Sequence, residues 1–182
     1  MPAKDTLRKI FPVLLLTLVV AISVNLLNFT DRLTRDKIEA QEEQKIQNFL
    51  AEMFPDMSRF EFKNDIYTIY SNGDKVGYAF IAIGKGYGGD INILVGLEDK
   101  TTIKDIVIVS QTETPGLGTR VTESFFTDQF VGLSIDNVAL TENGGQIDAI
   151  TGSTISSSAV VEAVRKTAEE KIKLIEDNKQ GG

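Results

Sequence analysis

From Ile10 to Phe29 the chain reads IFPVLLLTLVVAISVNLLNF, without one charged residue. About 20 apolar residues are what a single helix needs to cross a hydrocarbon core roughly 30 Å thick. The run therefore predicts a transmembrane helix over residues 10–29. Its polar intrusions are Thr17, Ser23, Asn25 and Asn28, and Pro12 is read as falling in the first turn, where the missing N–H costs little. A cleaved signal peptide and a buried core helix are the competing readings. The apolar part of a signal peptide is shorter, about 7–15 residues, and ends in a small-x-small site. Here the run ends in Leu26-Leu27-Asn28-Phe29, which favours a retained anchor.

The flanks suggest an orientation. Lys4, Arg8 and Lys9 precede the span, whereas Arg32, Arg35 and Lys37 beyond it are mixed with Asp31, Asp36 and Glu39. Basic residues stay on the cytoplasmic side. The expectation is a single-pass protein of the cell (inner) membrane, with a cytoplasmic tail at 1–9 and the C-terminal domain outside the cytoplasm. Residues 30–60 are charged and helix-favouring, with apolar residues at Leu33, Ile38, Ile46, Phe49 and Leu50, and are read as a helical stalk.

The remaining residues, 61–182, have the texture of one folded domain. IYTIYS, then Asn72-Gly73 as a hairpin signal, then KVGYAFIAIG mark two strands. DINILVGLED and TIKDIVIVS, separated by a turn near Asp99-Lys100, are two more, rich in β-branched residues. A short helix is expected around Thr122 to Val131. A long one is expected from Thr154 to Glu176, where Val160, Val164, Ala168, Ile172 and Ile175 share a face. Strands first and helices around them predict an α+β domain, a largely antiparallel sheet packed by helices, behind an N-terminal transmembrane helix.

Composition narrows the chemistry. With 26 acidic against 19 basic residues and a formal charge of -7, the chain offers no footprint for nucleic acid. It has no cysteine and no histidine, which excludes thiol chemistry, iron–sulfur clusters, His-ligated haem and the usual zinc sites. No metal site is expected, and redox chemistry here requires an organic cofactor.

The segment Asp148-Ala149-Ile150-Thr151-Gly152-Ser153-Thr154-Ile155-Ser156-Ser157 sits between a strand end and the start of the last helix. Helix N-termini present unpaired N–H groups and the positive end of a dipole, which suits a phosphate. The same hydroxyls also serve as ordinary helix caps, so the physical chemistry leaves both readings open. Two glycine-bearing loops stand out besides. One is Glu113-Thr114-Pro115-Gly116-Leu117-Gly118-Thr119, where glycines allow a ligand close to the backbone; the other carries Tyr87 within GKGYGG. The latter lacks both the spacing and the Lys-Ser/Thr ending of a P-loop.

The Asp148–Ser157 segment resembles the flavinylation motif of the FMN-binding domain family, and the likeness extends to that family's ETPGLG, GYGG and LVG segments, matched by 113–118, 86–89 and 94–96. The resemblance implies FMN bound covalently to Thr154 through a phosphoester. Asp148, Thr151, Gly152, Ser153, Ser156 and Ser157 complete the motif, and the 113–119 loop and Tyr87 are expected near the cofactor. It further implies maturation by a flavin transferase of the ApbE type, with FAD as donor. Within the family the likeness is nearest to the G subunits of the Rnf electron-transport complex, with the C subunit of the sodium-pumping NADH:quinone oxidoreductase and stand-alone extracellular flavoproteins as alternatives. The partners implied are the other membrane subunits of the Rnf complex. The role implied is electron relay in ion-translocating ferredoxin:NAD oxidoreduction, with no residue catalytic by itself. A reading of another class is a membrane-anchored, non-redox scaffold whose hydroxyls merely cap a helix.

Overall fold

A computed structural model describes the backbone of residues 3–180 and the side chains of 11–176 apart from those of Arg32, Asp36 and Glu39, which lie outside the described residues. Residues 1 and 2 of the expected tail, and the side chains of Lys4, Arg8 and Lys9, lie outside the described residues. The chain divides into two compact units, 1–44 and 45–182.

Helix α1 (Ala3–Met53) supplies the first unit. The apolar stretch that begins at Phe11 is long and hydrophobic enough to cross a membrane, and none of its most apolar window is buried within the protein. Because α1 starts at Ala3, Pro12 stands inside the helix rather than in its first turn, and one backbone hydrogen bond is forfeited there. The polar side chains are accommodated locally. Thr17 Oγ1 donates to the Val13 carbonyl at 2.9 Å and Asn25 Nδ2 to the Ala21 carbonyl at 2.7 Å, which answers the demand for internal hydrogen bonding in hydrocarbon.

The second unit contains a five-stranded antiparallel meander, ordered β1 (Arg59–Lys63), β2 (Ile66–Ser71), β3 (Asp74–Lys85), β4 (Asp90–Leu97) and β5 (Ile103–Gln111). Strand β1 was not expected from the sequence. Its residues are mostly exposed, so RFEFK shows no alternation between a buried and a solvated face. Asn64 and Asp65, at φ 55° and 58°, make the turn that joins it to β2, and Asn72 and Gly73 repeat the pattern in the hairpin read from the sequence.

The two faces of the sheet bury different cores. Tyr78, Phe80 and Ala82 of β3 and Ile91, Ile93, Val95 and Leu97 of β4 face helix α2 (Thr154–Gln180), which brings Val160, Val164 and Ala168 onto them. Gly84 lets the helix close in, since a Cβ there would lie 2.6 Å from the Ala159 carbonyl oxygen. The opposite face meets the end of α1 through Leu50, Met53 and Phe54, packed with Ile69, Ala79 and Leu94. Lys45 Nζ also hydrogen-bonds the Val109 carbonyl. The compact unit starts at Lys45, and the last turns of α1 are apolar on the side that covers the sheet.

Between β5 and α2 the chain forms a layer of short turns rather than one helix over 122–131. A 3-10 turn (Gly118–Thr122), a four-residue α-helical turn (Ser124–Thr127) and further 3-10 turns bury Val121, Phe126, Phe130, Ile135, Val138, Leu140, Ile147 and Ile150 in the main core. This layer delivers the chain to the start of α2.

Candidate functional site

Three segments far apart in sequence meet at the first turn of α2. Tyr87 comes from the loop between β3 and β4, Glu113, Thr114, Leu117 and Gly118 from the loop after β5, and Gly152 through Ser156 from the turn into α2; together they line a cleft of about 540 Å³. That size falls within the roughly 300–1,000 Å³ usual for cofactor and small-ligand sites. The rim is apolar and open, with Tyr87 76%, Leu117 50% and Ile155 57% exposed.

The turn is built by the backbone. Gly152 takes φ +80°, a conformation that L side chains rarely adopt. The Ser153 amide donates to the Ile150 carbonyl at 2.8 Å, and the Ser157 amide closes the first helical turn on the Ser153 carbonyl at 2.9 Å. The amides of Thr154, Ile155 and Ser156 precede that first closure and have no helical carbonyl ahead of them, so they and the positive end of the dipole form an anion-binding edge.

The hydroxyls of this segment divide sharply. Ser157 is fully buried, and its Oγ accepts from the Ile150 amide at 3.0 Å. Ser156 is 2% exposed and its hydroxyl donates to Glu113 Oε2 at 2.5 Å. Ser153 is 5% exposed, and among the described residues its Oγ has no partner. Thr154 lies open to solvent at the helix start, within the cleft. A buried hydroxyl without a partner beside a helix N-terminus is a donor awaiting an acceptor, and a phosphate supplies one. On this observation the residues fit a phosphate-bearing cofactor with an apolar ring system.

Other residues singled out in the sequence stand elsewhere. Asp148 is exposed and outside the cleft lining; its Oδ1 accepts from Thr141 Oγ1 at 3.0 Å, and its backbone pairs with the Gln129 side chain. Thr151 is exposed and also outside the lining, and Ser157 belongs to the core. Pro115, Gly116 and Thr119 are outside it too. They belong to the frame of the loop, where the Gly116 amide donates to Thr119 Oγ1 at 3.0 Å and the Thr119 amide meets the Thr114 carbonyl at 3.3 Å. Ile155 was not foreseen as a cleft residue; a lone apolar residue within the first turn of a helix gives no signal until the cleft is seen. Arg120, the nearest basic residue in sequence to this loop, is turned to Glu123 at 3.7 Å and to the Phe125 ring.

Comparison with known proteins bears on this geometry. The FMN-binding domain family matches residues 86–169, the stretch that supplies all three walls of the cleft. The G subunit of the ion-translocating oxidoreductase complex from Methanosarcina acetivorans is 33% identical over 171 residues, spanning 85% of this chain and 91% of that protein. The chain belongs to this family of G subunits. Within it, the Aliivibrio fischeri protein is 31% identical over 179 residues, covering 84% of this chain and 85% of the relative. The G subunit of the proton-translocating ferredoxin:NAD(+) oxidoreductase complex from Clostridium ljungdahlii is 33% identical over 140 residues, covering 73% and 76%. The fold is also that of the crystal structure of the C subunit of the Na(+)-translocating NADH-quinone reductase from Parabacteroides distasonis, with a TM-score of 0.50, 24% identity and coverage of 59% of this chain and 61% of that one. This member of the G-subunit family is thus an α+β protein with an FMN-binding domain and one apolar N-terminal helix.

Proposed function

We propose that this protein is a single-span flavoprotein that carries FMN on Thr154 and relays electrons as one subunit of an Rnf-type ferredoxin:NAD oxidoreductase complex that translocates ions. The observation that carries the assignment is the contrast among hydroxyls: Thr154 is exposed and lines the cleft, whereas Ser153, Ser156 and Ser157 are buried and the exposed Thr151 lies outside the lining. An acceptor must be reachable by the transferase that modifies it. With FAD as donor to a transferase of the ApbE type, a bond forms between Thr154 Oγ1 and the FMN phosphorus, the pyrophosphate bond breaks, AMP leaves and the hydroxyl proton is released.

When bound, FMN supplies the one-electron chemistry. The chain supplies position. The α2 amides and the Ser153 hydroxyl are placed for the phosphate, and the rim of Tyr87, Leu117 and Ile155 offers apolar area to the ring. The apolar helix is read as the membrane anchor, with the folded unit outside the cytoplasm and the other subunits of the complex as partners.

The test is intact mass and peptide mapping of the full chain co-expressed with a flavin transferase. Thr154→Val keeps the β-branched shape and removes the oxygen, so it should lose covalent FMN while remaining folded. Ser153→Ala should stay flavinylated. FMN mapped to Ser153, Ser156 or Ser157, or retained in Thr154→Val, refutes the assignment. A chain that never becomes fluorescent on a denaturing gel carries no covalent flavin, which refutes the proposed linkage.

A further inference from the structure

Among the described residues lining the cleft, Glu113 is the one that carries a charge. It is 5% exposed. Its Oε1 accepts from the Gly88 amide at 2.8 Å and its Oε2 from the Ser156 hydroxyl at 2.5 Å, so one side chain ties the loop before β4 and the first turn of α2 to the loop after β5. Its own amide is held by Gln111 Oε1 at 2.5 Å. Room for the carboxylate is built into the backbone. A Cβ at Gly86 would stand 2.2 Å from Oε1, and one at Gly118 would stand 2.4 Å from Oε2. An ionised carboxylate is costly to bury unless donors meet its oxygens, and here a donor meets each.

We propose that Glu113 is the positioning residue of the cofactor cleft and that its fixed negative charge sets the flavin toward electron release. This rests on the reading that the cleft holds FMN. The N-terminus of α2 contributes about half a positive charge at the same place, and the carboxylate contributes a full negative one. Every electron added to the ring adds negative charge beside that carboxylate. The oxidised ring is therefore favoured relative to a cleft without Glu113, and the reduction potential is held lower. A bridge alone needs no charge, because a glutamine could accept from Gly88 and donate to Ser156 in the same space.

That equivalence supplies the test. The full chain, flavinylated and in detergent micelles, is titrated spectroelectrochemically as the parent, Glu113→Gln and Glu113→Asp, the electrode being the electron source. Glu113→Gln keeps both bridges and should favour one-electron reduction by about tenfold or more, which is 59 mV for a one-electron step. Glu113→Asp keeps the charge and should change that equilibrium by less than about threefold. A glutamine variant within about threefold of the parent, or an aspartate variant that moves as far as the glutamine one, overturns the electrostatic claim. The positioning claim has a readout without flavin: in the unmodified full chain, Glu113→Ala should speed hydrogen exchange of the Gly88 amide at least about tenfold, and unchanged exchange overturns it. Peptide mapping of the parent is done first. Flavin on another hydroxyl refutes the Thr154 assignment but leaves the Glu113 comparison readable, and with no covalent flavin the exchange measurement still decides the positioning claim.

Discussion

Ser157 lies inside the flavinylation-like segment, yet the structure gives it a mechanical task, and Ser157→Ala measures that task. Its Oγ is fully buried and receives the Ile150 amide at 3.0 Å, and Ile150 is itself only 3% exposed. Removing the oxygen strands a buried backbone donor, which costs about 1–3 kcal/mol. Alanine is the better helix former by about 0.5 kcal/mol, which offsets part of the loss. The net expectation is about 0.5–2.5 kcal/mol. For a unit of this size each kcal/mol moves the midpoint by roughly 3–4 °C, so Tm should fall by about 2–10 °C. Thermal unfolding of the detergent-solubilised full chain, followed by circular dichroism, reads the shift, with half-buried Ser158→Ala as the control expected within about 0.5 kcal/mol of the parent. Flavinylation of Thr154 should persist at permissive temperature. A Tm unchanged within about 1 °C would show that the Ile150 amide finds another acceptor, and the structural role of Ser157 would be refuted.

Other perturbations test other parts of the structure. Burial holds the Asp105 carboxyl above the ordinary aspartate value, with Asp128 adding repulsion while the Ile106 amide and Lys104 act in the opposite sense. A raised folded-state value means that the penalty is fully present above that value and disappears below the unfolded one. Asp105→Asn, which keeps an acceptor for the Ile106 amide, should therefore raise Tm at pH 7, by an amount that shrinks as the pH falls toward the ordinary carboxylate range; a pH-independent difference refutes the cause. Asp148 belongs to the flavinylation-like segment but lies outside the cleft, so under the proposed function Asp148→Ala should reduce the flavinylated fraction by mass spectrometry without altering the flavin spectrum of the molecules that are modified. A spectral change would place it at the cofactor instead. Protease added to sealed spheroplasts should digest the folded unit if the basic flank stays inside, and full protection reverses the proposed topology.

Much of the architecture was legible because its signals are contiguous. An uncharged run predicts a span, Asn72-Gly73 a hairpin, β-branched runs the inner strands, and a 3.6-residue spacing the face of α2. The strand RFEFK was illegible for the converse reason: it is a short edge strand whose alternating charged and aromatic residues are mostly exposed, so the alternation marks no buried face. The turns between β5 and α2 were read as loop and one helix because each is held by Phe126, Phe130, Leu140 or Ile147 reaching a distant core, and local propensity is silent on that.

The candidate site divides along the same line. A hydroxyl-rich segment at a helix start marked the region, because capping chemistry and anion binding at helix ends depend on neighbours in the chain, and its resemblance to the flavinylation motif nominated Thr154. Which hydroxyl stays accessible was not determined locally. The buried states of Ser153, Ser156 and Ser157 follow from how α2 lies against the sheet, with Gly84 admitting the helix at Ala159. The bridge from Glu113 to Gly88 and Ser156 joins residues 25 and 43 positions apart, through the register of an antiparallel meander and the packing of a helix on it. Sequence thus determined the elements and the chemical groups they carry. Tertiary structure decided which groups share a cavity, because burial and distance between remote residues are properties of packing and not of neighbouring residues.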